Sequence, residues 1–356
     1  MKPLLKQNIE ESDKNMLAWL NGTGMIVSHW GTGLPVDIEI IAEEGDDLHK
    51  FYTDPETIAC REDERLSDNS YPLDILPIAI PDMNTLPVAL YLGAEPEFAH
   101  SNIWYKHTDI SPQNDRPLIF NPEHPWFLNH KEIYEACSVK SAGRYFLGLP
   151  AIVSNLDALV ELRGAENLMM DLVMNPEWVH TKLEELHRVF LDVYQRMLSY
   201  SVDEKGWSTQ GFFMFRGPGK VGISHCDTAA MISVDMFSEF VAPYVRMQCD
   251  YLDYSLYHVD GPDALASVDP LLEINSLTAL EFTPGPQVPE GGDPRWYELY
   301  RKIKKAGKSV QAVNIEPNEV KPLLDNVGPE GMYLMIDLQT EKEIEYISRV
   351  AEEYRS

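Results

Sequence analysis

The last hundred residues repeat one strand-to-helix unit four times, and that repetition constrains the fold more than any other feature of the chain. "YSLYHVDG" (254–261) leads to "PDALASVDPLLEI", "LTALEFTPG" to "PRWYELYRKIKKAG", "SVQAVNI" to "EPNEVKPLLDN", and "GMYLMIDL" to "TEKEIEYISRVAEEY". Each unit opens with a short apolar run and continues at helical spacing, as Ile344, Ile347 and Val350 show in the final one. Strands separated by helices pair in parallel.

Upstream, "MIVSHW", "YPLDILPIAI", "RYFLGLP" and "KVGISHC" read as four more strands, bringing the expected number to eight. The expected fold is therefore α/β, a (β/α)8 TIM barrel with an N-terminal helical extension over residues 1–23. An open doubly wound sheet is the rival. It would be supported by a GxGxxG turn, but "GTG" at Gly22–Gly24 and Gly31–Gly33 lacks the rest of that spacing. Residues 1–356 are expected to form a single domain. The proline- and aromatic-rich stretch 81–143, with Trp104 and Trp126, reads as a long connection and a possible lid.

Charge narrows the partners. Lys and Arg number 29 against 57 Asp and Glu, a formal charge of −28, which repels phosphate backbones and anionic bilayers, so neither nucleic acid nor a membrane surface is expected. No membrane-length apolar run and no leader-like N-terminus occurs, and Cys60, Cys137, Cys226 and Cys249 show no CxxC spacing. A reduced, cytoplasmic setting is expected. The oligomeric state is left open.

"YHVDG" is the densest concentration of chemistry. On a strand, His258 and Asp260 share one face, and Gly261 starts the following loop. Active sites of such barrels gather at those strand ends. The alternative is a pair that bonds to itself and to the backbone above a packed core. "ISHCD" offers further ligands, and alternation lets Cys226 face one way while His225 and Asp227 face the other.

In order, "AIVSNLDALVELRGAENLMMDLVMNPEWVHTKLEEL", "MISVDMFSEFVAPYVRMQ", "YHVDG", "LTALEFTPG", "VQAVNIEP" and the closing strand and helix resemble the uroporphyrinogen decarboxylase superfamily, which also contains cobalamin-dependent, zinc-using methyltransferases. The resemblance runs from about Ala18 onward. A decarboxylase of this family grips its polycarboxylate with an N-terminal arginine-rich segment; the corresponding "GMIVSHWGTGLP" has no arginine, and the family's late histidine is missing from "GMYLMIDLQTE". Asp74 stands where the resemblance implies the catalytic aspartate, and a capping or turn role is its structural alternative.

The methyltransferase branch implies a His-x-Cys-Gly zinc motif, which appears here as His258-Val259-Asp260-Gly261 without the cysteine. The ligand set expected from this is His258, Asp260 and Cys226, with Glu281 as a further ligand or acid–base group and Trp30 and Tyr257 against the substrate. The resemblance thus implies a corrinoid-dependent methyltransferase that takes a methyl group from a small O- or N-methylated donor, with zinc as Lewis acid and the corrinoid on a separate partner protein. A related decarboxylase or lyase acting on a non-porphyrin substrate, and a non-catalytic ligand-binding relative, are the alternatives.

Overall fold

A computed structural model describes residues 3–29, 42–81 and 87–355. Its strands in chain order are β1 (Ile26–Ser28), β2 (Ile78–Ala79), β3 (Glu95–Phe98), β4 (Ile103–Lys106), β5 (Phe146–Leu147), β6 (Trp207–Gln210), β7 (Phe215–Pro218), β8 (Val221–His225), β9 (Tyr254–Asp260), β10 (Ala279–Thr283), β11 (Ser309–Ile315) and β12 (Met332–Ile336). Six of them form one all-parallel sheet in the order β1-β12-β11-β10-β9-β8, with helices between successive strands. The architecture is α/β, as the repeated units imply.

All eight strands expected from the sequence are present, but they do not make one continuous sheet among the described residues. β2 and β5 pair with each other as a separate parallel ribbon, and β3 with β4 and β6 with β7 form antiparallel hairpins. The β6–β7 hairpin is additional to the expected strands, of which "KVGISHC" corresponds to β8. Pro218 cannot donate to a ladder and Gly219 has φ +77°, so the run "FFMFRGPGKVGISHC" breaks into β7 and β8.

Side-chain alternation divides the central sheet into two faces. Ile26, Ile223, Leu256, Ala279, Tyr333 and Met335 belong to one apolar cluster with the first helix and the β6–β7 turn. Val259, Leu280, Phe282, Ala312, Leu334 and Ile336 join the larger cluster with the outer helices. The first face is stoppered by helix Ile9–Leu20: Trp19 is fully buried, donates its indole N–H to Val310 O at 3.1 Å, and meets Tyr333 edge-on at 5.1 Å.

The β6–β7 turn lies against the same face. Gln311 Nε2 donates to Phe213 O at 2.9 Å, and Tyr333 Oη donates to Met214 O at 2.8 Å. These bonds hold Met214 at φ +53°, a left-handed conformation unfavourable to a side-chain-bearing residue. Close passage of the chain fixes another position: a Cβ on Gly148 would fall 2.3 Å from Gly211 Cα and 2.6 Å from Gly211 N. Because the obstacle is backbone, Gly148→Ala is expected to cost about 1–3 kcal/mol, read as a lower urea midpoint. An unchanged midpoint would show that the two segments part freely.

Residues 81–143 hold more regular structure than a long connection implies, since the β3–β4 hairpin and helix Pro125–Ser141 both occur there. Two helix starts follow their local sequence. Ser233 Oγ accepts from Met236 N at 3.2 Å, and Thr340 with Glu343 makes a reciprocal cap in which Glu343 Oε2 accepts from Thr340 N at 2.8 Å. Among the described residues, no helix is long and apolar enough to cross a membrane.

Candidate metal centre

Register across the parallel sheet assembles the site. His225 of β8 lies opposite His258 of β9, His258 opposite Glu281 of β10, Glu281 opposite Gln311 of β11, and Gln311 opposite Tyr333 of β12. This polar row sits one layer beyond Ile223, Leu256 and Ala279. A further step along the strand places Asp260 opposite Thr283. Gly261 then turns the chain at φ +75°, a value that glycine adopts without strain.

His258 is held by its neighbour. Glu281, wholly buried, pairs through Oε2 with His258 Nδ1, while its Oε1 accepts from Thr283 Oγ1 at 2.7 Å. This leaves His258 Nε2 for another partner, the arrangement by which a carboxylate orients a metal-binding imidazole. Burial opposes a charged His258, but the charge and hydrogen bond of Glu281, followed by Asp260 and Asp227, outweigh it and raise its pKa above the ordinary histidine value. Phe213 packs at 5.0 Å from the His258 ring, and His225 stands edge-on to it at 6.1 Å.

Among the described residues, two groups have the geometry to hold a metal ion, and they share Asp227. Ligand atoms of Asp227, His258 and Asp260 lie within 4.8 Å of one another, as do those of Asp157, His225 and Asp227. The second group is buried at Asp157 and His225, and Asp157 is already engaged. Its carboxylate accepts from Asp227 N at 2.8 Å, Thr228 N at 2.9 Å and Thr228 Oγ1 at 2.6 Å, and its Oδ2 stands 3.8 Å from His225 Nε2. Asp157 therefore pins the turn that presents Asp227. Asn155 supports this corner from both sides, accepting from Asp157 N at 3.0 Å and donating through Nδ2 to His225 O.

His258, Asp260 and Glu281 are thus brought together, but Cys226, Tyr257 and Asp74 do not join them. Cys226 follows His225 and so turns to the helix side, where its thiol lies 3.6 Å from Asp157 Oδ1. Burial, reinforced by Asp157 and Asp227, pushes that thiol well above the ordinary range, so a thiolate ligand is disfavoured. Tyr257 makes the same turn and packs beneath Phe237 at 6.4 Å instead of lining the cluster. Trp30 lies outside the described residues.

Asp74 makes the contacts of its structural alternative. It is buried, accepts from Asn15 Nδ2 and Val27 N, each at 2.9 Å, and pairs with Arg355. The helix that supplies Asn15 is the one that stoppers the sheet, away from His258. Alternation along "ISHCD" left His225 and Asp227 open as the other face of a run in which Cys226 was the expected ligand; the structure puts those two, not Cys226, beside His258, and no local signal marked Asp157. No protein-family model matches the chain, and no curated protein is significantly similar to it.

Proposed function

We propose that Asp227, His258 and Asp260 hold one divalent metal ion, and that the protein is an enzyme using this ion as a Lewis acid on a small substrate. The observation carrying this reading is the fixed imidazole: Glu281 occupies His258 Nδ1, and a carboxylate oxygen of each of Asp227 and Asp260 lies within 4.8 Å of a nitrogen of the same ring. One nitrogen and two carboxylates leave positions open for water or substrate. Zinc is compatible with these donors, and the absence of a thiolate among them favours an oxygen- or nitrogen-linked substrate group over a thiol.

The reaction we infer is transfer of a methyl group from an O- or N-methylated donor to a corrinoid on a separate protein. The corrinoid, when bound on its own protein, would supply the nucleophile that accepts the methyl carbon, the electron pair of the broken bond being left on oxygen or nitrogen. This chain's part is to polarise that oxygen or nitrogen and to hold the donor. Support comes from the ordered resemblance of "YHVDG", "LTALEFTPG" and "VQAVNIEP" to the superfamily that contains these methyltransferases, and from the lack of arginine in "GMIVSHWGTGLP". The decarboxylase alternative has less support, because Asp74 is consumed by Asn15, Val27 and Arg355. The proposal includes closure of the sheet into a barrel, supported by backbone bonds that join the segment after β5 to β6 (Leu149 N to Thr209 O at 2.8 Å) and the segment before β2 to β1 (Asp74 N to Val27 O at 3.0 Å).

Metal-free protein titrated with zinc, followed by calorimetry and metal analysis, is expected to take up close to one ion per chain. Glu281→Gln should weaken uptake by roughly 10–100-fold, and His258→Ala by at least as much. Unchanged zinc affinity in His258→Ala would remove the proposed ligand set.

A further inference from the structure

The loops around the centre carry charge of one sign. None of the segments following the parallel strands, residues 29–47, 80–86, 148–155, 226–233, 261–267, 284–293, 316–319 and 337–340, contains a lysine or arginine. Several contain acids, among them Asp227, Glu290, Glu316 and Asp337. The described segments after β8 to β12 (226–233, 261–267, 284–293, 316–319 and 337–340) leave the central sheet at the strand ends where His225, His258 and Glu281 stand side by side. An anionic substrate would meet no fixed cation on any of them, whereas a cation would be attracted throughout its approach.

Gln311 supplies an independent observation. It is completely buried, and its neighbour across the sheet is Glu281. Its amide orientation is set by Nε2 donating to Phe213 O, because the reversed amide would place two acceptors together. Oε1 is then a buried acceptor with no partner. Such an atom is costly unless a donor reaches it. Phe213, which binds the other end of the amide, packs on His258, so the orphaned oxygen belongs to the same corner of the sheet.

We propose that the substrate of this centre is a small protonated amine, whose N–H group donates to Gln311 Oε1 and whose charge is balanced by the carboxylates around His258. The inference rests on the reading of the cluster as a substrate-binding centre and narrows its ligand to one chemical class. A carboxylate or phosphate has neither the charge nor the donor, and a quaternary ammonium has the charge alone. Asp157, Asp227, Asp260 and Glu281 together outweigh a single divalent ion, so a bound metal does not reverse the preference.

Binding of propylamine, tetramethylammonium, propionate and 1-propanol to the purified full-length chain would test this by calorimetry, with and without zinc. Propylamine should bind saturably, and roughly tenfold more tightly than tetramethylammonium, the difference a charged hydrogen bond supplies. Propionate and propanol should not saturate. Gln311→Leu should abolish the preference for propylamine over tetramethylammonium, and wild-type selectivity provides the same reading if that variant does not fold. Propionate binding as well as propylamine, equal binding of the two ammonium ions to wild type, or no saturable amine binding would each overturn the proposal. Zinc titration without amine separates the two readings: amine selectivity without zinc uptake would leave this inference standing and remove the metal.

Discussion

Arg216→Met is expected to lower the unfolding free energy at neutral pH by about 3–5 kcal/mol, the usual penalty for breaking a buried ion pair from one side. Arg216 is 1% exposed. Its Nη1 donates to Asp13 Oδ1 at 2.5 Å, its Nη2 pairs with Asp203, and its guanidinium lies over the rings of Phe146 at 4.1 Å and Trp207 at 5.1 Å. The residue thereby fastens the first helix to the β6–β7 hairpin and to β5. Methionine fills much of the volume but leaves two carboxylates without their cation, and Lys205, 3.4 Å from Asp13, compensates only one of them. Urea unfolding gives the measurement. Asp13→Asn introduced into the Arg216→Met background should recover part of the loss, since the uncompensated charge is its main source. A loss below about 1 kcal/mol in the single variant would mean that ring packing, not charge, holds this corner.

Acid should expose a second dependence, centred on His130. This residue of helix Pro125–Ser141 is completely buried, with Nε2–H donating to Pro81 O at 3.1 Å and Nδ1 accepting from Tyr91 Oη at 2.5 Å. Both nitrogens are satisfied by the neutral ring. Burial accordingly lowers the pKa from 6.5 to about 4, against the smaller opposing effect of the Pro81 carbonyl. Between those values the unfolded chain takes up a proton that the folded chain refuses. Stability from this group is therefore complete above pH 6.5 and is lost as pH falls toward 4, by roughly 3 kcal/mol in all. His130→Gln should remove that component, so the difference in stability between neutral pH and pH 4 should shrink by about that amount in urea titrations. Equal pH dependence in variant and wild type would show that His130 titrates normally in the folded protein.

Much of the fold was legible because it depends on local periodicity. Short apolar runs marked the parallel strands, helical spacing marked the elements between them, and Ser233 and Thr340 announced their helix starts through side chains only three residues from the N–H groups they cap. The breaks were less legible. The β6–β7 hairpin, separated from β8 by Gly219 and Lys220, was not among the expected strands, and β2 and β5 are too short for their pairing to be recognised from sequence.

For the site, sequence by itself determined that His258 and Asp260 share a face at the end of a strand, since alternation permits nothing else once the strand is given. Tertiary structure decided which residues join them. A shift of one position separates His225, beside His258, from Cys226, buried toward the helices, and that difference depends on the register between β8 and β9. Glu281 becomes the partner of His258 across 23 residues, and Asp157 organises the Asp227 turn across 70. Asp74 is spent on bonds to the first helix and to Arg355 near the C-terminus. Local chemistry fixes which face a side chain takes, but its partners come from distant segments, and only packing of the whole chain brings those segments within hydrogen-bond reach.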